Sequence, residues 1–279
     1  MSEPVVVPAS ERWVVSTPSV EPGLRVTLSM PTNATTRPVP VLVVLDGDFM
    51  FLSATEFVRT LGLVTLGDFP PVAVVGVMRD ETNSFEYLTS RFRDFTPQQW
   101  TLHGPFAADN AMAPKGTGGG PQLLNDLIDR VVPQVRERLT KAGHEMGDAA
   151  IAGWSLSGLF ACWAWLERPD VFPHALGITP SLWWDDASIL QRPIGARSEN
   201  HRLFVCAGEH EEGDVSKVYP QRFANADQRV MAAMVRNAET FGARAAAAGA
   251  RVQSVTFADE HHVTVQSGAL SRGLLHLFG

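Results

Sequence analysis

Cysteine is nearly absent: Cys162 and Cys206 are the only two in 279 residues. Two are too few for a disulfide framework, and both lie in apolar runs, where a buried free thiol is expected. Basic residues are in deficit, 23 against 30 acids, for a net charge of −7. That balance argues against a nucleic-acid partner, which needs a basic face to displace counterions. No apolar run approaches the roughly 20 residues of a membrane span. The opening Met1-Ser2-Glu3-Pro4 lacks the basic and apolar segments of a signal peptide. The expectation is a soluble cytoplasmic protein with a small-molecule substrate and neither nucleic-acid nor membrane partners; the oligomeric state stays open. Metal and cofactor motifs are missing too. The sequence has no H-E-x-x-H and no paired C-x-x-C for zinc. It has no Gly-Lys-Ser/Thr for a phosphate loop, although Lys115 precedes a glycine tract. Gly116-Thr117-Gly118-Gly119-Gly120-Pro121 breaks G-x-G-x-x-G at its last place, and no strand precedes it. No metal and no cofactor are expected.

What is present is globular: 45% apolar and 19% charged residues, with 23 glycines and 19 prolines scattered without period. Alternating patterns at 11–16 and 24–30 read as edge strands. Continuous apolar runs at Pro40–Leu45, Val72–Val77, Ala149–Ala152 and Leu203–Ala207 read as strands covered on both faces, with Ser254–Phe257 as the last. Helical spacing covers 122–141, 159–166, 228–248 and 269–278. The alternation predicts an α/β fold with a mostly parallel sheet and helices on both faces. No composition break divides the chain, so one domain over 1–279 is expected. Residues 79–121 fit neither period and read as a long loop or lid-like insertion.

The sharpest local signal is Gly153-Trp154-Ser155-Leu156-Ser157-Gly158, between a short apolar strand and an apolar helical segment. That is the setting of a nucleophile elbow, G-x-S-x-G, in which a tight turn presents a serine hydroxyl. Ser157 stands where the second glycine is usual. A serine nucleophile needs a base, and the base an orienting acid. Both follow in chain order, Glu209 and Glu211 after the 203–207 strand, and His261 and His262 after the 254–257 strand.

Further blocks accompany the elbow: Leu45-Asp46-Gly47-Asp48, Arg91-x-Arg93-Asp94-Phe95-Thr96-Pro97, Pro180-Ser181-Leu182-Trp183-Trp184, and Glu260-x-His262-x-Thr264-Val265 with Ala269-Leu270-Ser271-Arg272-Gly273-Leu274. Together, from about residue 24 to the C-terminus, they resemble the Putative esterase family of α/β-hydrolases, which includes esterase D, enterochelin-type siderophore esterases and the mycolyltransferases. The resemblance implies an α/β-hydrolase fold and a serine esterase working through an acyl-enzyme. It implies Ser155 as nucleophile, His262 as base with His261 as fallback, and Glu211 as acid with Glu209 as competitor. Some siderophore esterases of the group work with a dyad, which would make the acid dispensable. The oxyanion donors it implies are the backbone N–H groups of Leu156 and Asp48.

Asp46 and Asp48 also read as a simple turn or a weak cation site. Arg93 reads either as the partner of Asp94, pinning the 79–121 segment, or as a group facing an anionic substrate. Trp154, Trp183 and Trp184 read as walls of an acyl pocket or as core. Two further readings stay open: an acyltransferase that resolves the same acyl-enzyme with an alcohol or amine, and a non-catalytic hydrolase-fold binding module, which the Ser157 departure favours.

Overall fold

Continuous apolar strands need cover on both sides, and the chain supplies it. The structure is a computed structural model that describes residues 6–31, 35–81, 83–103, 110–212 and 233–279. Among the described residues, eight strands form one sheet: β1 (Ser10–Val15), β2 (Leu24–Ser29), β3 (Val39–Leu45), β4 (Ala73–Arg79), β5 (Met146–Trp154), β6 (His174–Ile178), β7 (Arg202–Gly208) and β8 (Arg251–Phe257). The spatial order is β1-β2-β4-β3-β5-β6-β7-β8. β1 with β2 and β2 with β4 pair antiparallel, and β3 through β8 pair parallel with one another.

Side chains alternate along each strand. On β3, Val41, Val43 and Leu45 enter one core and Leu42 and Val44 the other. The first core lies under α3 (Gly120–Asp126), α4 (Val132–Lys141), α5 (Leu156–Glu167) and the helix Met234–Ala247. The second lies under α1 (Gly47–Val64) and the terminal helix Val265–Phe278. From Leu156 to Trp165 every residue of α5 is buried, so it is apolar all round, as a central helix requires.

The helix expected over 122–141 forms with one irregularity. Pro133 cannot donate to the carbonyl four residues back, and a π-helical turn over Leu127–Val131 takes up the mismatch. Of the segment 79–121, expected as a long loop or lid-like insertion, residues 82 and 104–109 lie outside the described residues. The segment contains α2 (Ser84–Asp94), capped by Asn83, whose Oδ1 accepts from the N–H groups of Phe85 and Glu86. Residues 228–232 of the expected 228–248 helix lie outside the described residues; the helix is described from Met234.

Both cysteines are buried and free. Burial pushes the Cys206 thiol up to about 12 and raises Cys162 as well, so neither is a nucleophile.

Candidate active site

In an open parallel sheet, functional groups gather outside the carboxyl ends of the strands. Here the loops after β3, β4, β5, β6, β7 and β8 all emerge at that edge. Ser155 sits at the end of β5 with φ 61° and ψ −118°, a conformation sparsely allowed for a residue with a side chain. Two glycines make the turn possible. A Cβ on Gly153 would fall 2.1 Å from Ser157 O, and one on Gly158 3.0 Å from Ile178 O. The turn is fastened to β6 by Ser155 N–H donating to Ile178 O at 3.0 Å and Ser181 N–H to Ser155 O at 3.0 Å.

Glu211 and His262 come together across 51 residues of sequence. Glu211 is 4% exposed, and its Oε2 lies 2.5 Å from His262 Nδ1. Its Oε1 accepts the Gly208 N–H at 2.9 Å, so both carboxylate oxygens are fixed. Thr179 Oγ1 also faces His262 Nδ1, at 3.1 Å. Glu209 is exposed and accepts the Asp259 N–H, and the His261 ring accepts the Val263 N–H. The geometry therefore pairs Glu211 with His262 and leaves Glu209 and His261 out of the contact. Close packing sustains it: a Cβ on Gly208 would lie 2.4 Å from Glu260 O, and His210 N–H donates to that oxygen at 3.0 Å.

Trp154 supports this pair. Its indole N–H donates to His262 O at 2.7 Å, and the two rings lie 4.9 Å apart. Ser155 Oγ is 3.4 Å from Ser181 Oγ; among the described residues that is its hydrogen-bond partner, rather than His262. Asp48 and Leu156 occupy the first turns of α1 and α5, where N–H groups have no partner inside the helix. The Asp48 carboxylate is turned to Arg25 at 2.6 Å, leaving its backbone as the group on offer.

Several residues sit differently from the expectations. Asp94 pairs chiefly with Arg79 through bonds of 2.8 to 3.0 Å, and the expected Arg93–Asp94 ion pair is present as the longer contact, at 4.0 Å. Arg93 also donates to Ser19 O and lines a surface cavity of about 440 Å³ with Lys115, Thr117 and Gln122. The segment is pinned by Arg79–Asp94 and by a second pair, Arg91–Asp46, that sequence reasoning missed. Asp46 Oδ1 accepts from Arg91 Nε at 2.8 Å and from the Tyr87 hydroxyl; Oδ2 accepts from Arg91 Nη2 at 2.8 Å and from Ser157 Oγ at 2.5 Å. All of its acceptor positions are occupied, which rules out the cation reading for Asp46. Burial first, and the Asp46 charge second, push the Tyr87 phenol well above its ordinary value, so it remains a donor. Burial pulls the Arg91 guanidinium down, but the carboxylate outweighs it and the net direction is up. Trp183 is half-buried and packs 6.0 Å from the buried Trp184, with Trp100 5.0 Å from Trp184.

Three comparisons bear on this site. The model of the family described as "Putative esterase" matches residues 18–245. The siderophore enterobactin esterase of Emericella nidulans is 27% identical over 260 residues, covering 88% of this chain and 84% of its own. The ferri-bacillibactin esterase BesA of Bacillus subtilis is 25% identical over 282 residues, covering 98% and 91%. Among solved structures, the siderophore hydrolase EstA from Aspergillus nidulans superposes with a TM-score of 0.77 at 23% identity over 99% of this chain and 98% of that one. That last likeness speaks to the fold alone. The family match spans most of the chain, so this protein belongs to the Putative esterase family of α/β-hydrolases and is a carboxylic-ester hydrolase.

Proposed function

We propose that this esterase opens ester bonds of siderophores through an acyl-enzyme on Ser155. One observation carries the mechanism: the buried Glu211 carboxylate lies 2.5 Å from His262 Nδ1, beside a strained serine elbow. With Nδ1–H donated to the carboxylate, the imidazole keeps a lone pair on Nε2. Ser155 Oγ turns from Ser181 toward that nitrogen as substrate enters. His262 takes the hydroxyl proton while Oγ attacks the ester carbonyl. The tetrahedral oxyanion is held by the N–H groups of Leu156 and Asp48, each at the positive end of a helix. His262 then returns the proton to the leaving alcohol, and water resolves the acyl-enzyme by the same route. Trp154 and Thr179 hold the imidazole in plane. The siderophore substrate class is supported by the relatives, with Trp183 as a rim contact for the substrate; Arg93, turned to Ser19, is left out of that rim.

The test is Ser155→Ala, with folding checked by thermal unfolding. Turnover of p-nitrophenyl butyrate and of enterobactin should fall by at least ~10³-fold, the scale of a lost nucleophile. A fluorophosphonate probe should label the wild type at Ser155 and leave the variant unlabelled. A folded variant with normal turnover would sink the mechanism. A wild type that cleaves the aryl ester but not enterobactin would sink the substrate assignment alone.

A further inference from the structure

The serine that departs from the usual elbow pattern is fully buried, and its hydroxyl has a specific task. Ser157 Oγ accepts the Trp154 N–H at 2.8 Å. It has one proton to give, and two acceptors lie in range: Asp46 Oδ2 at 2.5 Å and Trp154 O at 2.8 Å. The shorter contact is to the carboxylate. Trp154 O is not left without a donor, because Arg91 Nη2 reaches it at 3.2 Å. Ser157 and Arg91 thus tie the residue before the nucleophile to Asp46 from two sides.

Asp46 is not a bystander in the other half of the site. Its φ of 53° turns the chain from β3 into α1, which begins at Gly47 and carries Asp48 in its first turn. A Cβ on Gly47 would lie 2.9 Å from Val77 N, so that turn is packed onto β4. The paired residues of β3 and β5 end at Val44 and Ala152. Beyond that point no ladder bond joins the two strands in the register, yet Asp46 and Trp154 must keep their places for Asp48 and Leu156 to face one oxygen. The side chains of Ser157 and Arg91 continue the connection where the ladder stops.

We infer that Ser157 is a positioning residue: its hydroxyl couples Asp46 to the elbow and fixes the spacing of the oxyanion donors Asp48 N–H and Leu156 N–H. This rests on the reading of those two groups as the oxyanion hole. Where a glycine would leave the two turns joined by Arg91 alone, this chain adds a second tie.

The experiment compares Ser157→Ala, Ser157→Gly and Ser157→Thr with Ser155→Ala, each assayed well below its own unfolding temperature. Removing the hydroxyl should lower kcat on p-nitrophenyl butyrate by about 10- to 100-fold, the scale of a displaced rather than deleted oxyanion donor. KM should stay within about threefold, since ground-state binding does not use the hole. Phenylboronic acid adds to Ser155 Oγ, the proton passing to His262, and leaves a tetrahedral anion in the hole. Its inhibition constant should rise across the Ala and Gly variants in proportion to the fall in kcat/KM, and Ser157→Thr, which keeps the hydroxyl, should recover both. A purely structural hydroxyl would move unfolding temperature and leave these two quantities uncorrelated. Folded Ala and Gly variants with unchanged kcat, or with reduced kcat and unchanged boronate affinity, overturn the inference. Activity retained in Ser155→Ala would instead overturn the acyl-enzyme reading beneath it.

Discussion

Replacing Glu211 by glutamine should damage this enzyme more than replacing it by alanine. The reason lies in what holds each carboxylate oxygen. Oε1 accepts the Gly208 N–H at 2.9 Å, and Oε2 faces His262 Nδ1 at 2.5 Å. A glutamine in the same pocket has one acceptor. Setting its NH2 against the Gly208 N–H would leave a buried donor unpaired, at a cost of about 1–3 kcal/mol. The amide oxygen therefore stays on Gly208, and the NH2 points at His262. Nδ1 then becomes the acceptor, the proton moves to Nε2, and the base has no lone pair for the Ser155 hydroxyl. Loss of the productive tautomer is worth ~10⁴-fold in kcat, or about 5.5 kcal/mol of barrier. In Glu211→Ala the imidazole has another acceptor, Thr179 Oγ1 at 3.1 Å from Nδ1. The tautomer survives, and what is lost is a charge-assisted bond of about 1.5–3 kcal/mol, roughly 10- to 150-fold in rate. Steady-state hydrolysis of p-nitrophenyl butyrate by both variants, with unfolding curves to establish folding, measures the order. Glu211→Ala/Thr179→Val should drop toward the glutamine variant. A glutamine variant as active as the alanine one would refute the reasoning and point to a base that needs no orienting acid.

Gly208→Ala should unseat acid and base together, because its Cβ would lie 2.4 Å from Glu260 O. Backbone against backbone has little room to give, so a loss of about 1–3 kcal/mol is expected, visible as a fall of several degrees in Tm, together with reduced kcat. Acid should destabilise the fold through His174. Burial, chiefly, lowers its folded pKa to about 4, whereas the unfolded chain takes up the proton near 6.5. Between those values the unfolded state binds more protons, so the stability contribution of neutral His174 is present above about pH 6.5 and lost as pH falls toward 4. His174→Asn, which keeps an acceptor for the Arg202 N–H, should flatten the decline of Tm from about pH 7 to 4.5; an unchanged slope would assign it to other groups.

The sequence made the central strands and the tight turn at Ser155 readable, because doubly covered strands must be continuously apolar and such a turn must be built from small residues. Other parts were hidden for physical reasons. The face that α2 buries is Tyr87, Thr89, Ser90, Arg91 and Asp94, polar groups that carry no hydrophobic period; the Asn83 cap was the signal available for it. In α1, Phe49, Leu52, Leu63 and Val64 are exposed beside the buried Met50, Phe51 and Val58, which blurs the helical stripe. β6 is five residues long and interrupted by Gly177. Arg91 and Arg93 look alike in the sequence, and only the fold shows that Arg91 meets Asp46 while Arg93 turns outward to Ser19. No spacing rule could have matched Asp46 to Ser157, since the contact crosses 111 residues.

The close approach of Gly208 to Glu260 ties the end of β7 to the loop that carries His262. Glu211 and His262 are thereby held on one packed unit, with His210 N–H also bound to Glu260 O. Asp46, Arg91 and Ser157 lock the nucleophile turn to α1 in the same way. Between them run the β5–β6–β7 ladder and the side-chain contacts of Trp154, Thr179 and Ser155. In the mechanism proposed above, the one rearrangement asked of the site is the rotation of the Ser155 hydroxyl from Ser181 toward His262.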